Sequence, residues 1–194
     1  KAIATAPGYL TSAVTSASYT FAASAPTFTP AAGPYLGPLL VTATTTTAGG
    51  VIHYTFNGGQ PDASSPSVAS GGTISVPVSG VLKGITLAAG LAASATTAAT
   101  YELVAADPVI SPNGGSFSAP VEVTLTAGAG AAIYYTTDGS TPAAGSPSST
   151  EYAGPFTLAA SATVKARAFV DGWTPSGSIE AAYVITIPMP SAVA

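Results

Sequence analysis

Eight carboxylates, a single histidine and no cysteine are all that this 194-residue chain offers for acid–base, nucleophilic or thiolate chemistry. Glycoside hydrolysis takes two carboxyls facing one cleft at a set separation. Asp138 and Glu151 are the pair to test, and the corresponding stretch earlier in the chain holds no matched acidic pair. His53 would be a general base only beside a nucleophile. The residue that answers it further along is Tyr134, on an alternating run that reads as a strand surface. No Asp-x-Asp-x-Asp-Gly loop is present for calcium. No convergent polar set emerges, so the chain reads as a non-enzyme, with no catalytic, cofactor-binding or metal-ligating residue and no cofactor.

The residues that stand out instead suit turns and stacking. Thr136-Thr137-Asp138-Gly139-Ser140-Thr141-Pro142 follows an alternating run, and Phe56-Asn57-Gly58-Gly59-Gln60-Pro61 answers it. Asp-Gly and Asn-Gly suit tight turns, because glycine accepts positive φ and Asp or Asn caps its own backbone. The exchange of carboxylate for amide keeps that turn chemistry and loses a ligand. Asn57, Gly58, Asp138, Gly139 and Pro142 are therefore read as structural turn residues. Tyr9, Tyr152 and Trp173, with Tyr35, sit near expected turns, where aromatics either stack on sugar or pack over the end of a module.

The elements that position these residues recur. Pro-Thr-Phe-Thr-Pro at 26–30 answers Pro-Val-Ile-Ser-Pro at 108–112, a shift of 82 positions. Lys1-Ala2-Ile3-Ala4, Gly8-Tyr9 and Tyr19-Thr20-Phe21 answer Lys165-Ala166-Arg167-Ala168, Gly172-Trp173 and Tyr183-Val184-Ile185, a shift of 164. A fixed period marks a tandem array: two repeats of about 80 residues and the end of a third. The expected bounds are 1–24 for the partial repeat, 25–105 and 106–187 for the two full ones, and 188–194 for a linker or tail.

Within the repeats the hydrophobic period is two. Val121, Val123 and Leu125 interleave with Glu122, Thr124 and Thr126; Val164, Ala166 and Ala168 form another such row. Alternation of this kind makes half-buried strands. The Ala-rich stretch 87–100 aligns with 164–181 and reads as strand, loop, strand rather than helix. With 21 Gly and 17 Pro as punctuation, the expected fold is all-β: tandem immunoglobulin-like sandwiches of about seven strands each, without disulfides.

Composition narrows the partners. Charged residues are 6% of the chain and the net charge is −4, with only four Lys and Arg. Nucleic acid is not expected as a partner, since four cations make no basic patch. Nor is membrane insertion, since no apolar run reaches about 18 residues. A surface rich in Ser, Thr, Ala and Gly but poor in charge fits an extracellular or cell-surface polymer, and such a surface also self-associates readily.

Ile133-Tyr134-Tyr135-Thr136-Thr137-Asp138-Gly139-Ser140-Thr141-Pro142, then Tyr152-Ala153-Gly154-Pro155-Phe156-Thr157-Leu158 and Thr163-Val164-Lys165-Ala166-Arg167-Ala168, resembles the repeat family named after the chitobiase/β-hexosaminidase C-terminal domain. The first full repeat keeps the 52–61 core, lacks a clear Tyr-x-Gly-Pro segment and lacks the Val-Lys-Ala signature. The resemblance implies an immunoglobulin-like, non-catalytic module of bacterial secreted and surface proteins. No family catalytic residue carries over.

Residues 1–21 supply two strands at most, and an isolated hairpin is not stable in water. Three completions are open: a longer array, insertion into a neighbouring subunit by strand addition through Lys1, Ile3, Tyr19 and Phe21, or pairing with the following repeat. The expected function is a structural repeat array of a bacterial extracellular fibre, filament or stalk, partnered by copies of itself or neighbouring repeats. The alternative is a carbohydrate-binding or spacer region of a secreted polysaccharide-degrading enzyme.

Overall fold

The computed structural model describes residues 1–186, so the expected linker or tail at 188–194 lies outside the described residues. Sixteen strands form among the described residues and no helix. In the first repeat they are β1 (Thr27–Thr29), β2 (Gly33–Leu36), β3 (Leu39–Thr44), β4 (Val51–Thr55), β5 (Ser67–Ala69), β6 (Gly72–Val76), β7 (Gly80–Leu87) and β8 (Thr97–Val104). In the second they are β9 (Val109–Ser111), β10 (Gly115–Phe117), β11 (Val121–Thr126), β12 (Ala132–Thr136), β13 (Thr150–Glu151), β14 (Phe156–Leu158), β15 (Ala162–Phe169) and β16 (Ile179–Ile185).

Each repeat makes a three-stranded and a five-stranded sheet. In the second the orders are β14-β11-β9 and β10-β16-β15-β12-β13; in the first they are β1-β3-β6 and β2-β8-β7-β4-β5. The chain's opening strand is thus in two pieces. β9 pairs antiparallel with β11, then the chain passes Pro112 and β10 pairs parallel with β16 in the opposite sheet. Splitting one strand across both sheets gives an immunoglobulin-like arrangement with eight strands where about seven were expected. The physical reason is proline: Pro30 and Pro112 have no N–H to continue a ladder, and the chain changes sheets there.

The second repeat's core follows the alternation. Val123, Val164 and Ala166 are fully buried, with Ile110, Val121, Leu125, Ile133, Leu158, Ala181 and Tyr183 around them. In the first repeat Val41, Ile52, Val76, Leu82, Tyr101 and Leu103 are sealed from solvent. Residues 88–96 form the loop between β7 and β8, as read.

Compact clustering divides the chain along other lines than the repeats. One unit comprises Lys1–Thr29, Thr42–Thr73 and Leu82–Ala98; the other comprises Pro30–Val41, Ile74–Val81 and the chain from Ala99 onward. The second unit therefore takes in parts of both repeats, and the first takes in the partial repeat together with part of the first full one.

Two residue pairs show how the repeats reach the same packing by different volumes. In the first unit a Cβ on Gly84 would lie 2.7 Å from the Phe28 ring. The second repeat has Ile110 and Ala166 at those positions: a smaller partner, and a methyl restored. Likewise a Cβ on Gly50 would lie 2.8 Å from the Thr86 methyl, where the second repeat has Ala131 and Ala168. The Thr86 hydroxyl is buried without a hydrogen-bond partner.

Candidate functional site: the strand-end joints

The site that the two repeats build in common is a joint between the end of one strand and the loop that precedes the last strand of the following repeat. In the second unit β8 ends at Val104, which bridges Thr174 in parallel. The Thr174 amide donates to the Leu103 carbonyl at 2.8 Å, and the Ala105 amide donates to the Thr174 carbonyl at 2.9 Å. The Thr174 hydroxyl donates to Glu102 Oε1 at 2.7 Å. Beside these, the Ser79 amide donates to the Gly172 carbonyl at 3.0 Å, and the Trp173 indole Nε1 donates to the Pro77 carbonyl at 2.8 Å. Gly172 holds φ at +74°, and a Cβ there would lie 2.8 Å from Val78 Cγ1. Both facts demand glycine.

The first unit holds the same joint, 82 positions earlier. Ala22 bridges Ala92 in parallel. The Ala92 amide donates to the Phe21 carbonyl at 2.8 Å, and the Ala23 amide donates to the Ala92 carbonyl at 2.9 Å. Leu91 stands where Trp173 stands. Main-chain groups carry both joints, so the residue types at them are free to differ.

A serine braces each of these loops from behind. Ser176 is buried; its hydroxyl accepts from the Ala168 amide at 2.8 Å and donates to the Gly177 carbonyl at 2.7 Å. Ser94 does the same for the Thr86 amide and the Ala95 carbonyl, both at 2.8 Å. Ser12 repeats it for the Ala4 amide at 2.9 Å. Residue-by-residue reading passed over this serine. Its signal is the recurrence of Ser at 12, 94 and 176 in step with the period.

The turn residues read from the sequence lie in turns. Asp138 Oδ1 accepts from the Ser140 amide at 2.9 Å and from its hydroxyl at 2.6 Å. Those serine donors hold the Asp138 carboxyl below its ordinary value. Gly139 takes φ +78° and its amide donates to the Thr163 carbonyl. Asn57 Oδ1 accepts from the Gly59 amide at 3.0 Å, with Gly58 between them in the left-handed region. Pro142 is buried in the loop that follows.

The other singled-out side chains do not converge. The Glu151 carboxylate accepts from the Tyr134 hydroxyl, which is the first cause of that tyrosine's raised pKa, while Asp138 faces Ser140. His53 Nδ1 lies 3.1 Å from the Ser65 carbonyl. Among the described residues no three of His, Cys, Asp and Glu are grouped to hold a metal, and no helix is long and apolar enough to cross a membrane.

The stacking candidates part company. Tyr152 meets Tyr135 and Phe156 edge-on, while those two stack face to face at 4.3 Å, packed against the core. Trp173 is half-buried, with its indole N–H used in the joint, beside an apolar groove of about 370 Å³ floored by Gly128, Ala129 and Ala131. Tyr9 is exposed, and Tyr35 donates its hydroxyl to the Ala31 carbonyl. Lys1, Ile3, Tyr19 and Phe21, named for strand addition, are all exposed.

Comparison with known proteins gives the same period. The family model described as the chitobiase/β-hexosaminidase C-terminal domain matches residues 30–98 and again residues 112–180. No curated protein matches. Among solved structures, the titin domains Z1Z2 in complex with telethonin are 15% identical, with 87% of this chain and 98% of that one covered at a TM-score of 0.36. The fibronectin(III)-like modules of Clostridium thermocellum CbhA are 15% identical, with 83% and 94% covered at a TM-score of 0.28. The matched module is a non-catalytic C-terminal domain, in keeping with a structural or spacer role. With two copies matched over most of its length, the chain belongs to the chitobiase/β-hexosaminidase C-terminal domain family.

Proposed function

We propose that the chain works as a structural array in a bacterial extracellular protein, a stalk, fibre or filament in which modules laid in line set length and stiffness. The observation that carries this reading is the doubled joint: two loops, 82 positions apart, take the preceding strand end through the same main-chain hydrogen bonds at the same distances. A joint that repeats with the module is what an array needs, and a binding pocket would gain nothing from it. The sparse charge supports the reading further, because a surface that spends its life against other copies has less need of solubilising groups. An extracellular setting follows from the habit of the family.

Electron microscopy of the native material tests it. Regular fibres with an axial repeat of one or two modules are the expected result. Dispersed monomers that bind insoluble polysaccharide would replace this reading with that of a carbohydrate-holding region beside an enzyme.

A further inference from the structure

Residues 1–21 fold as a copy of the β15–β16 hairpin. The bridge between Ala2 and Thr15 is the Ala166–Ile179 pairing moved by 164 positions. The Ser12 amide donates to the Ala4 carbonyl at 3.0 Å, as the Ser176 amide does to Ala168, and both serine hydroxyls accept in return. Register therefore places Ala2, Ala4, Ala17 and Tyr19 where the second repeat has Ala166, Ala168, Ala181 and Tyr183. The four residue types are identical. In the second repeat these four are core, each no more than 4% exposed; in the hairpin all four are exposed, Tyr19 at 83%. Lys1 and Ile3 alternate onto the other face.

The second repeat shows what such a face is built to meet. Ile110, Val123, Leu125, Ile133 and Leu158 share one core with it. β10 runs parallel to β16 with Gly115 opposite Tyr183, the Phe117 ring lies 6.0 Å from the Tyr183 ring, and the Tyr183 hydroxyl donates to the Pro112 carbonyl. The first repeat repeats the device: Gly33 opposite Tyr101, Tyr35 at 6.1 Å, and the Tyr101 hydroxyl on the Pro30 carbonyl at 2.9 Å. The shared complement is Pro-x-x-Gly-x-aromatic, as Pro30–Tyr35 and Pro112–Phe117.

We propose that the 1–21 hairpin is a sandwich-completing site whose partner is a separate polypeptide presenting strands of the β9–β14 kind, with its Pro-x-x-Gly-x-aromatic segment added parallel to Tyr19. The inference rests on the module-array reading and names the partner chemistry for one of its faces. It also carries a selectivity. Ala2 stands where the first repeat has Gly84, and there a Cβ would come within 2.7 Å of the Phe28 ring. Strands of the β1–β6 kind, which bring Phe28, are disfavoured; strands that bring Ile110 fit.

The test uses the whole 1–194 chain and labelled polypeptide probes of residues 107–161 and 25–79, each lacking its closing hairpin. Saturable one-to-one binding of the 107–161 probe is expected, with slowed amide exchange at residues 2–5 and 17–22. Tyr19→Ala weakens it at least tenfold, and Tyr9→Ala, off that face, leaves it unchanged. The 25–79 probe binds at least tenfold less tightly, and Phe28→Ile in that probe recovers the difference. A short probe of residues 108–118 gives a second measurement if the longer one aggregates: it slows exchange at residues 19–22. The proposal is overturned by no saturable binding of either second-repeat probe, by binding indifferent to Tyr19→Ala, or by protection confined to the second repeat, which would mean strand exchange there. Regular fibres alongside any of those results would leave the array reading standing and remove only this one.

Discussion

Ser176 shows how a single hydroxyl can hold a loop. Its oxygen takes the Ala168 amide, which lies in a strand whose ladder partner has ended, and a buried amide left without an acceptor costs about 1–3 kcal/mol. Ser176→Ala is accordingly expected to destabilise the chain by about that amount in denaturant titration, while Ser146→Ala, on an exposed loop, stays within about 0.5 kcal/mol. Tyr101 and Tyr183 act by burial, which raises both phenols above the ordinary value near 10. A raised folded-state pKa means the folded chain holds those protons longer than the unfolded one. Stability is thus level below about pH 10 and falls as the pH climbs past it. Tyr183→Phe should flatten that alkaline fall, at a cost near neutral pH of about 1 kcal/mol for the lost bond to Pro112; urea midpoints measured from pH 7 to 11 would show both effects. Tyr183 was legible as an inward residue from its alternation. The brace of Ser176 was not, since serine is common here and only its periodic placement marks it.

At the scale of the strand, the pairing of Phe28 with Gly84 and of Ile110 with Ala166 amounts to two solutions of one packing problem. Gly84→Ala alone forces a methyl into the Phe28 ring, an overpacking expected to cost about 1–3 kcal/mol. Gly84→Ala with Phe28→Ile rebuilds the second repeat's solution, and the double-mutant cycle should return a favourable coupling of about 1 kcal/mol or more. Purely additive losses would show that the two positions do not share a contact. Homologous neighbours in a tandem chain are prone to swapping strands as they fold; mismatched volumes at this contact penalise that error. Period-two rows made the strands readable, because a half-buried sheet imposes that alternation whatever the fold. The division of the opening strand into β1 and β2, and into β9 and β10, was not readable. Pro30 and Pro112 show only that a ladder must stop, and which sheet the chain enters next is decided by the opposite layer.

For the whole molecule the joints are the decisive feature, and they were invisible beforehand because amide-to-carbonyl bonds leave no mark on residue types. Only Gly172 and Trp173 hinted at one of them. Gly172→Ala strains a backbone at φ +74° and drives a methyl into Val78, and Trp173→Ala removes the indole donor to Pro77. The pair of substitutions together is expected to uncouple the second repeat, so that one cooperative melting transition in calorimetry becomes two, separated by several degrees. A single sharp transition in the double variant would show that the joint contributes little.

Apart from Glu102, the atoms that fasten each joint carry no net charge. Mobile ions screen charges and leave neutral amide-to-carbonyl bonds alone. A coupling of this make grips alike in rainwater and in brine, and a chelator finds nothing in it to strip away. Whatever this chain holds apart or together outside the cell, it does so without consulting the medium.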